Sequence, residues 1–304
     1  MNDFAFETSP LICLGLPVYN GEKFVGDAIR SILVQDHKNF ELIITDNAST
    51  DSTEKICREF AASDPRVRYV RNQRNLGAGP NHNLAFELSR GKYFKWCACD
   101  DRISENFLSA CLAALEKDTD AILAYGITQT IDEDGRLVPL VGRMMKARED
   151  SNDPGLRFKK DLIDRATNFE IFGLIRSDAL RKTTMHRPYY GSDKALMTEL
   201  ALLGKFVFVP GIVFYNREHK DRSINIKDKH VLANWQDTAA QTNGRPVALQ
   251  RIEHLIEIAF RHGAIVSPIR TLTVIFVWAF QTWSLRTARR IVYLAETGLT
   301  RVLN

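Results

Sequence analysis

The chain reads as an α/β protein, a mostly parallel sheet flanked by helices, because one local pattern occurs three times. Leu11 to Leu16 ahead of Pro17-Val-Tyr19-Asn20, Leu42-Ile43-Ile44 ahead of Asp46 to Thr53, and Tyr93 to Cys97 ahead of Asp100-Asp101 are short apolar runs ending in polar turn formers. Each is followed by apolar residues at helical spacing, such as Val25, Ile29, Ile32 and Leu33 after the first. Strand, turn and helix in repetition imply β-α-β units with helices on both faces of the sheet. In such sheets ligands bind at the carboxyl ends of strands, where helix N–H groups favour phosphates.

Between residues 10 and 125 the pattern predicts strand 11–16, helix 22–34, strand 40–45, helix 51–61, strand 66–71, helix 79–89, strand 92–97, helix 104–116 and strand 121–125. Ser49 to Thr53 supplies N-cap residue types for the second helix. Asp132-Glu-Asp-Gly135 reads as a tight turn between two short strands. Met144 to Ala166 is charged and aperiodic, which predicts a loop or short helices. Ser177 to Arg181 opens a helix with Ser177 as its cap, and Gly191 to Gly204 is a helix closed by a glycine. Two strands follow, Phe206 to Val209 and Val213 to His219. Val247, Leu249, Ile252, Leu255, Ile256 and Phe260 then give a helical stripe, and 268–298 a longer one. The expected division is a catalytic domain over 1–228 and a C-terminal helical region over 229–304.

Composition narrows the function. Lys and Arg number 41 against 37 Asp and Glu, a net charge of +4, too mild for a nucleic-acid partner. The five cysteines are odd in number, sit mostly in apolar runs and lack zinc-finger spacing, which predicts buried free thiols. The N-terminus lacks the pattern of a signal peptide, so the expected location is cytoplasmic, at the inner face of a membrane if the tail docks there. Thr271 to Leu285 is uncharged for fifteen residues, short of the roughly 20 that a spanning helix needs.

Pro17-Val-Tyr-Asn20, Thr45-Asp-Asn-Ala-Ser-Thr-Asp51, Asn75-Leu-Gly77, Arg90-Gly-Lys-Tyr93 and Asp100-Asp101 occur in that order. Together they resemble the motif series of family 2 glycosyltransferases with the GT-A fold. The resemblance implies an inverting transfer of a sugar from a nucleotide-diphosphate donor, UDP-linked by default, to an acceptor hydroxyl. It implies a saccharide or lipid-linked acceptor in surface polysaccharide or glycolipid assembly. Ala98 and Ser192 stand where the family has carboxylates, so a nucleotide-sugar-binding protein without turnover is the alternative.

Each chemical task asks for a residue type. Asp46 matches the family's base-contacting carboxylate, and Pro17, Tyr19 and Glu22 match residues lining base and ribose; Asp46 also fits as a helix cap. A departing diphosphate calls for a divalent cation, Mn²⁺ or Mg²⁺, and such hard cations want carboxylate oxygens. The family's Asp-x-Asp is here Ala98-Cys99-Asp100, which leaves Asp100 as metal ligand and Asp101 as a sugar contact or cap. His219 resembles the family's histidine that completes the metal shell, and Arg217 the arginine that meets phosphate. Asp193 matches the general base, whose pKa burial can raise toward working pH; it also fits as an N-cap. Asn83 falls where the family places donor contacts. Trp278 and Trp283, with Arg286, Arg289 and Arg290, suit a peripheral membrane contact or a homo-oligomer interface, and packing against the catalytic domain explains the same pattern.

Overall fold

The computed structural model describes residues 10–139, 151–163, 168–239 and 245–284. β1 (Ile12–Val18), β2 (Phe40–Asp46), β3 (Val67–Arg71) and β4 (Tyr93–Trp96) alternate with α1 (Val25–Leu33), α2 (Thr53–Ser63) and α3 (Ala78–Glu87). Then come β5 (Arg102–Ile103), α4 (Phe107–Lys117), β6 (Ala121–Ile131), α5 (Pro154–Ile163), β7 (Leu174–Arg176), α6 (Ser177–Leu180), α7 (Ser192–Leu203) and β8 (Lys205–Arg217). α8 (Lys229–Gln236), α9 (Val247–Arg261) and a helix over 268–284 follow.

The strands form one sheet in the order β3-β2-β1-β4-β7-β6-β8-β5. β1 pairs in parallel with β2 and β4, and β2 with β3. β7 is antiparallel to both β4 and β6, and β6 is parallel to β8. β6 and β8 therefore point the same way as β1 to β4, and six carboxyl ends gather along one edge. That edge holds the candidate site.

Period-two alternation sorts the strand residues between two layers. Ile12, Leu14, Leu16, Phe40, Leu42 and Ile44 pack on the face covered by α1 and α4. Cys13, Ile43, Phe94 and Trp96 pack on the opposite face with α3, α6 and α7. A third cluster joins Phe158 and Leu162 of α5, Ala195 and Leu202 of α7, and Leu255 and Ile258 of α9. Full burial of an aliphatic side chain is worth roughly 1.5–3 kcal/mol. Leu255 and Ile258, both fully buried, fasten α9 to α7 by more than any exposed ion pair would. All five cysteines are free, and four are buried.

Three local expectations need correction. The two strands predicted over 206–219 are one, β8, with a bulge: its register against β6 shifts between Tyr125 and Ile127, and Gly211 takes φ +82 to make the bend. Ser177 does not cap α6; its hydroxyl donates to the Gly91 carbonyl at 2.7 Å, which ties α6 to the β4 approach. The turn Asp132–Gly135 forms, but on one side it ends the long β6 and on the other it closes only a bridge from Ile131 to Leu137. Of the charged stretch 144–166, residues 154–163 form α5, while 144–150 and 164–166 lie outside the described residues, as do Arg286, Arg289 and Arg290.

Candidate active site

Asp100 lies just past β4 and His219 just past β8, so the sheet brings together two residues 119 apart in sequence. The imidazole Nε2–H of His219 donates to Asp100 Oδ2 at 2.9 Å. Nδ1 of the same ring is buried without a hydrogen-bond partner. Asp101 turns the other way: its Oδ1 accepts the backbone N–H of Arg217 at 2.7 Å. Burial, reinforced by the charge of Asp100, holds the Asp101 carboxyl well above the usual carboxylate range.

Arg217, expected at a phosphate, is 2% exposed and its donors are engaged within the chain. Nε donates to the Asp100 carbonyl at 2.7 Å, Nη1 to the carbonyls of Glu133 at 2.8 Å and Asp132 at 3.2 Å, and Nη2 to the Asp27 carboxylate. Four of the five guanidinium N–H groups are thus spent within the chain. Arg222, which sequence reasoning passed over, is less enclosed; it pairs with Glu218 and Asn216, and its charge acts on both Asp101 and Tyr190. Its place four residues after Glu218 is the one signal the sequence offers.

On the β1–β2 side two loops hold each other. The Gly21 N–H donates to Thr53 Oγ1, the Glu22 N–H to Asp51, and the Glu22 carboxylate accepts the Ser52 N–H at the start of α2. Pro17 is buried in β1 beside Thr45 of β2, whereas Tyr19 is 44% exposed. Asp46 is fully buried: Oδ1 accepts the Ser49 N–H at 2.8 Å, and Oδ2 accepts Tyr69 Oη at 2.5 Å and Arg71 Nη1 at 2.7 Å. What faces outward beside it is the Arg71 guanidinium. Asn47 connects Asn72, Asn75, Leu76 and Gly77 by side-chain hydrogen bonds, fixing the loop before α3. Gly77 there takes φ +92, and a Cβ would meet Asp237 Cα at 2.5 Å, so only glycine fits. Asn83 is not a free donor contact: its amide exchanges hydrogen bonds with both the N–H and carbonyl of His186.

Asp193 stands in the first turn of α7, after Gly191 at φ +83, and its Oδ2 accepts Asn168 Nδ2 at 2.9 Å. Asn168 was not singled out from sequence, since it lies at the edge of an apolar stretch with no motif around it. The Asp193 charge reaches His82, Tyr189 and Tyr190. Burial holds the His82 imidazole in its neutral form, against that charge. Gln236 of α8 closes the space between: its amide donates to the Arg187 carbonyl and to Ser192 Oγ. Behind Asp193 runs a buried polar chain. Tyr189 Oη donates to His254 Nδ1 at 2.8 Å, His254 Nε2–H to Thr184 Oγ1 at 2.6 Å, and Thr184 Oγ1–H to Glu199 Oε2 at 2.6 Å. His262 Nε2–H donates to the other Glu199 oxygen at 2.8 Å. The direction follows because a carboxylate only accepts.

Whether these groups fit a divalent cation can be tested on the spacing. Two ligand atoms about 2.1 Å from a cation at right angles lie about 3 Å apart. Asp100 Oδ2 and His219 Nε2 have that separation, and an imidazole with an unpartnered Nδ1 can move its proton there to free Nε2 as a lone-pair donor. Among the described residues no three His, Cys, Asp or Glu converge, so the rest of a coordination shell would come from diphosphate oxygens and water.

A family model described as Glycosyl transferase family 2 matches residues 13–187, more than half of the chain. Chondroitin synthase of Escherichia coli is 34% identical over 129 residues, 42% of this chain and 19% of that protein. The chain spans less than half the length of the curated relatives it matches first. Among solved structures, S. aureus TarS 1–349 in complex with UDP-GlcNAc superposes with a TM-score of 0.61 at 14% identity, covering 89% of this chain and 72% of that one. Mannosyltransferase PcManGT from Pyrobaculum calidifontis, in complex with GDP-Man and Mn²⁺, superposes at 0.53 and 14% identity, covering 98% and 81%. At these identities the likeness speaks for the fold, which is GT-A. With the motifs in order along β1 to β4 and the family model running from Cys13 to Arg187, the chain belongs to glycosyltransferase family 2.

Proposed function

We propose that the protein is an inverting glycosyltransferase that moves a sugar from a UDP-linked donor to a saccharide or lipid-linked acceptor in surface polysaccharide assembly. The observation that carries the reading is the contact between Asp100 and His219, a carboxylate and an imidazole held together where a diphosphate would sit. Tyr19 and Arg71 would face the base, with Asp46 orienting Arg71 from behind. Asp100 and His219 would hold Mn²⁺ or Mg²⁺, which supplies charge neutralisation to the leaving diphosphate. Asp193, held by Asn168, would take the proton of the acceptor hydroxyl as it attacks the anomeric carbon from the opposite face. Arg222 replaces Arg217 as the cation nearest the leaving group. Chondroitin synthase among the relatives supports a polysaccharide context.

Residues 1–228 would form the catalytic domain and 229–304 the C-terminal helical region, of which α9 packs against α5 and α7. The outward face of the last described helix carries Ile269, Phe276, Phe280 and Trp283, all exposed. No described helix is long and apolar enough to cross a membrane. This face would therefore meet a membrane surface peripherally, or a second copy of the chain. A thermal-shift screen of nucleotides and nucleotide-sugars, with and without Mn²⁺, tests the donor site, since a ligand that binds only the folded state raises the melting temperature. UDP-sugars raising it more with Mn²⁺ than without is the expected result; no response to any nucleotide would refute the reading.

A further inference from the structure

Metal-ligating histidines ordinarily have their second ring nitrogen held by a hydrogen bond, which fixes the ring and raises its basicity. His219 lacks that partner, because Nδ1 is buried and unbonded. Something else must orient the ring. Phe24 lies against it, with centroids 4.8 Å apart and planes tilted by 48°. The Arg217 guanidinium covers the same phenyl ring, its Cζ 4.8 Å from the centroid.

Arg217 also grips the carboxylate side of the pair. Its Nε holds the Asp100 carbonyl and its backbone N–H holds the Asp101 carboxylate. Nη1 fastens the turn after β6 through Asp132 and Glu133, and Nη2 reaches Asp27 on α1. One buried side chain thus joins four segments: the loop after β4, the turn after β6, α1 and the end of β8. The geometry points to Arg217 as a positioning residue that sets Asp100 directly, and His219 through Phe24, at the spacing a divalent cation needs, without itself touching the diphosphate. This rests on the metal-assisted reading above. Lysine cannot substitute, since one ammonium cannot reach the Asp100 carbonyl, two further carbonyls and Asp27 at once.

The test separates metal from nucleotide. Mn²⁺ binding in the presence of UDP, followed by loss of the free-ion electron paramagnetic resonance signal, and UDP binding without metal, by calorimetry, are measured for wild type, Arg217→Lys and Asp27→Asn. Outer-shell changes typically cost about 10- to 100-fold in metal affinity, and Arg217→Lys is expected in that range with metal-free UDP binding unchanged. Asp27→Asn leaves Arg217 in place but loosens its anchor, so a smaller loss in the same direction is expected; it decides the matter if Arg217→Lys does not fold. Wild-type Mn²⁺ affinity in both variants, or a loss of metal-free UDP binding in Arg217→Lys, would overturn the inference alone. Wild-type protein that binds no Mn²⁺ with UDP would overturn the metal reading, and this inference with it.

Discussion

The proposed donor side, built from β1 to β4, and the proposed acceptor side, built from α7, α9 and the segment that precedes α7, hold their residues by different means. On that donor side Pro17, Asp46 and Arg71 lie at strand ends, and Glu22, Asp51, Ser52 and Thr53 of the adjacent loops fix one another. On the acceptor side Asp193 depends on a helix whose back is bound to α9 through Glu199, Thr184, His254 and Tyr189. A site made from strand ends is specified by local sequence. One made from a helix start is specified by what packs behind that helix.

That contrast predicts where substitutions act, and the largest effect belongs to the acceptor side. Asp193→Asn is expected to lower kcat by about 10²- to 10⁴-fold, the usual contribution of a general base, with donor affinity kept. Rate and donor binding measured together decide it, and equal losses in both would make Asp193 a helix cap only. Asp100→Asn comes next on the donor side. Losing several kcal/mol of charge stabilisation lowers metal-dependent turnover by roughly 10²- to 10³-fold with the melting temperature unchanged.

The buried chain makes a pH prediction. Burial lowers the His254 pKa from 6.5 to about 4, outweighing the attraction of Glu199. The folded state therefore favours the neutral ring, while the unfolded chain binds the proton first. Stability from this residue is complete above pH 6.5 and drains as pH falls toward 4, by about 3 kcal/mol at most. Melting temperature against pH for wild type and His254→Gln checks this. The variant is expected to start lower and to fall less between pH 6.5 and 4; parallel curves would mean that His254 is not the titrating group. The smallest effect on catalysis is expected at the exposed face: Phe276→Ser with Phe280→Ser should weaken vesicle binding or dissociate an oligomer while leaving turnover on soluble acceptors intact.

The same contrast explains what could be read in advance. Strands 11–16, 40–45, 66–71 and 92–97 match β1 to β4 closely because apolar runs, turn formers and helical stripes are short-range signals. The sequence of β8 reads as two strands, 206–209 and 213–219; the pairing with β6 makes them one, and pairing is not visible in one segment. Asp100 and His219 were named from their motifs, but their contact across 119 residues needed the sheet. Arg217 and Asn83 show the limit most clearly. Their residue types suit a ligand, yet carbonyls and carboxylates from distant segments claim their donors first. Asn168 and the His254 chain carried no local signal, because each partner comes from a different element.

The central claim is that this site turns over a nucleotide-sugar with help from a cation on Asp100 and His219. The most direct test is release of UDP from a panel of UDP-sugars in the presence of Mn²⁺, with and without a chelator. The account predicts release from at least one donor, abolished by the chelator and by Asp100→Asn. Tight donor binding with no release under any acceptor condition would contradict it and make the protein a nucleotide-sugar binder, the outcome that Ala98 and Ser192 in place of carboxylates would then explain.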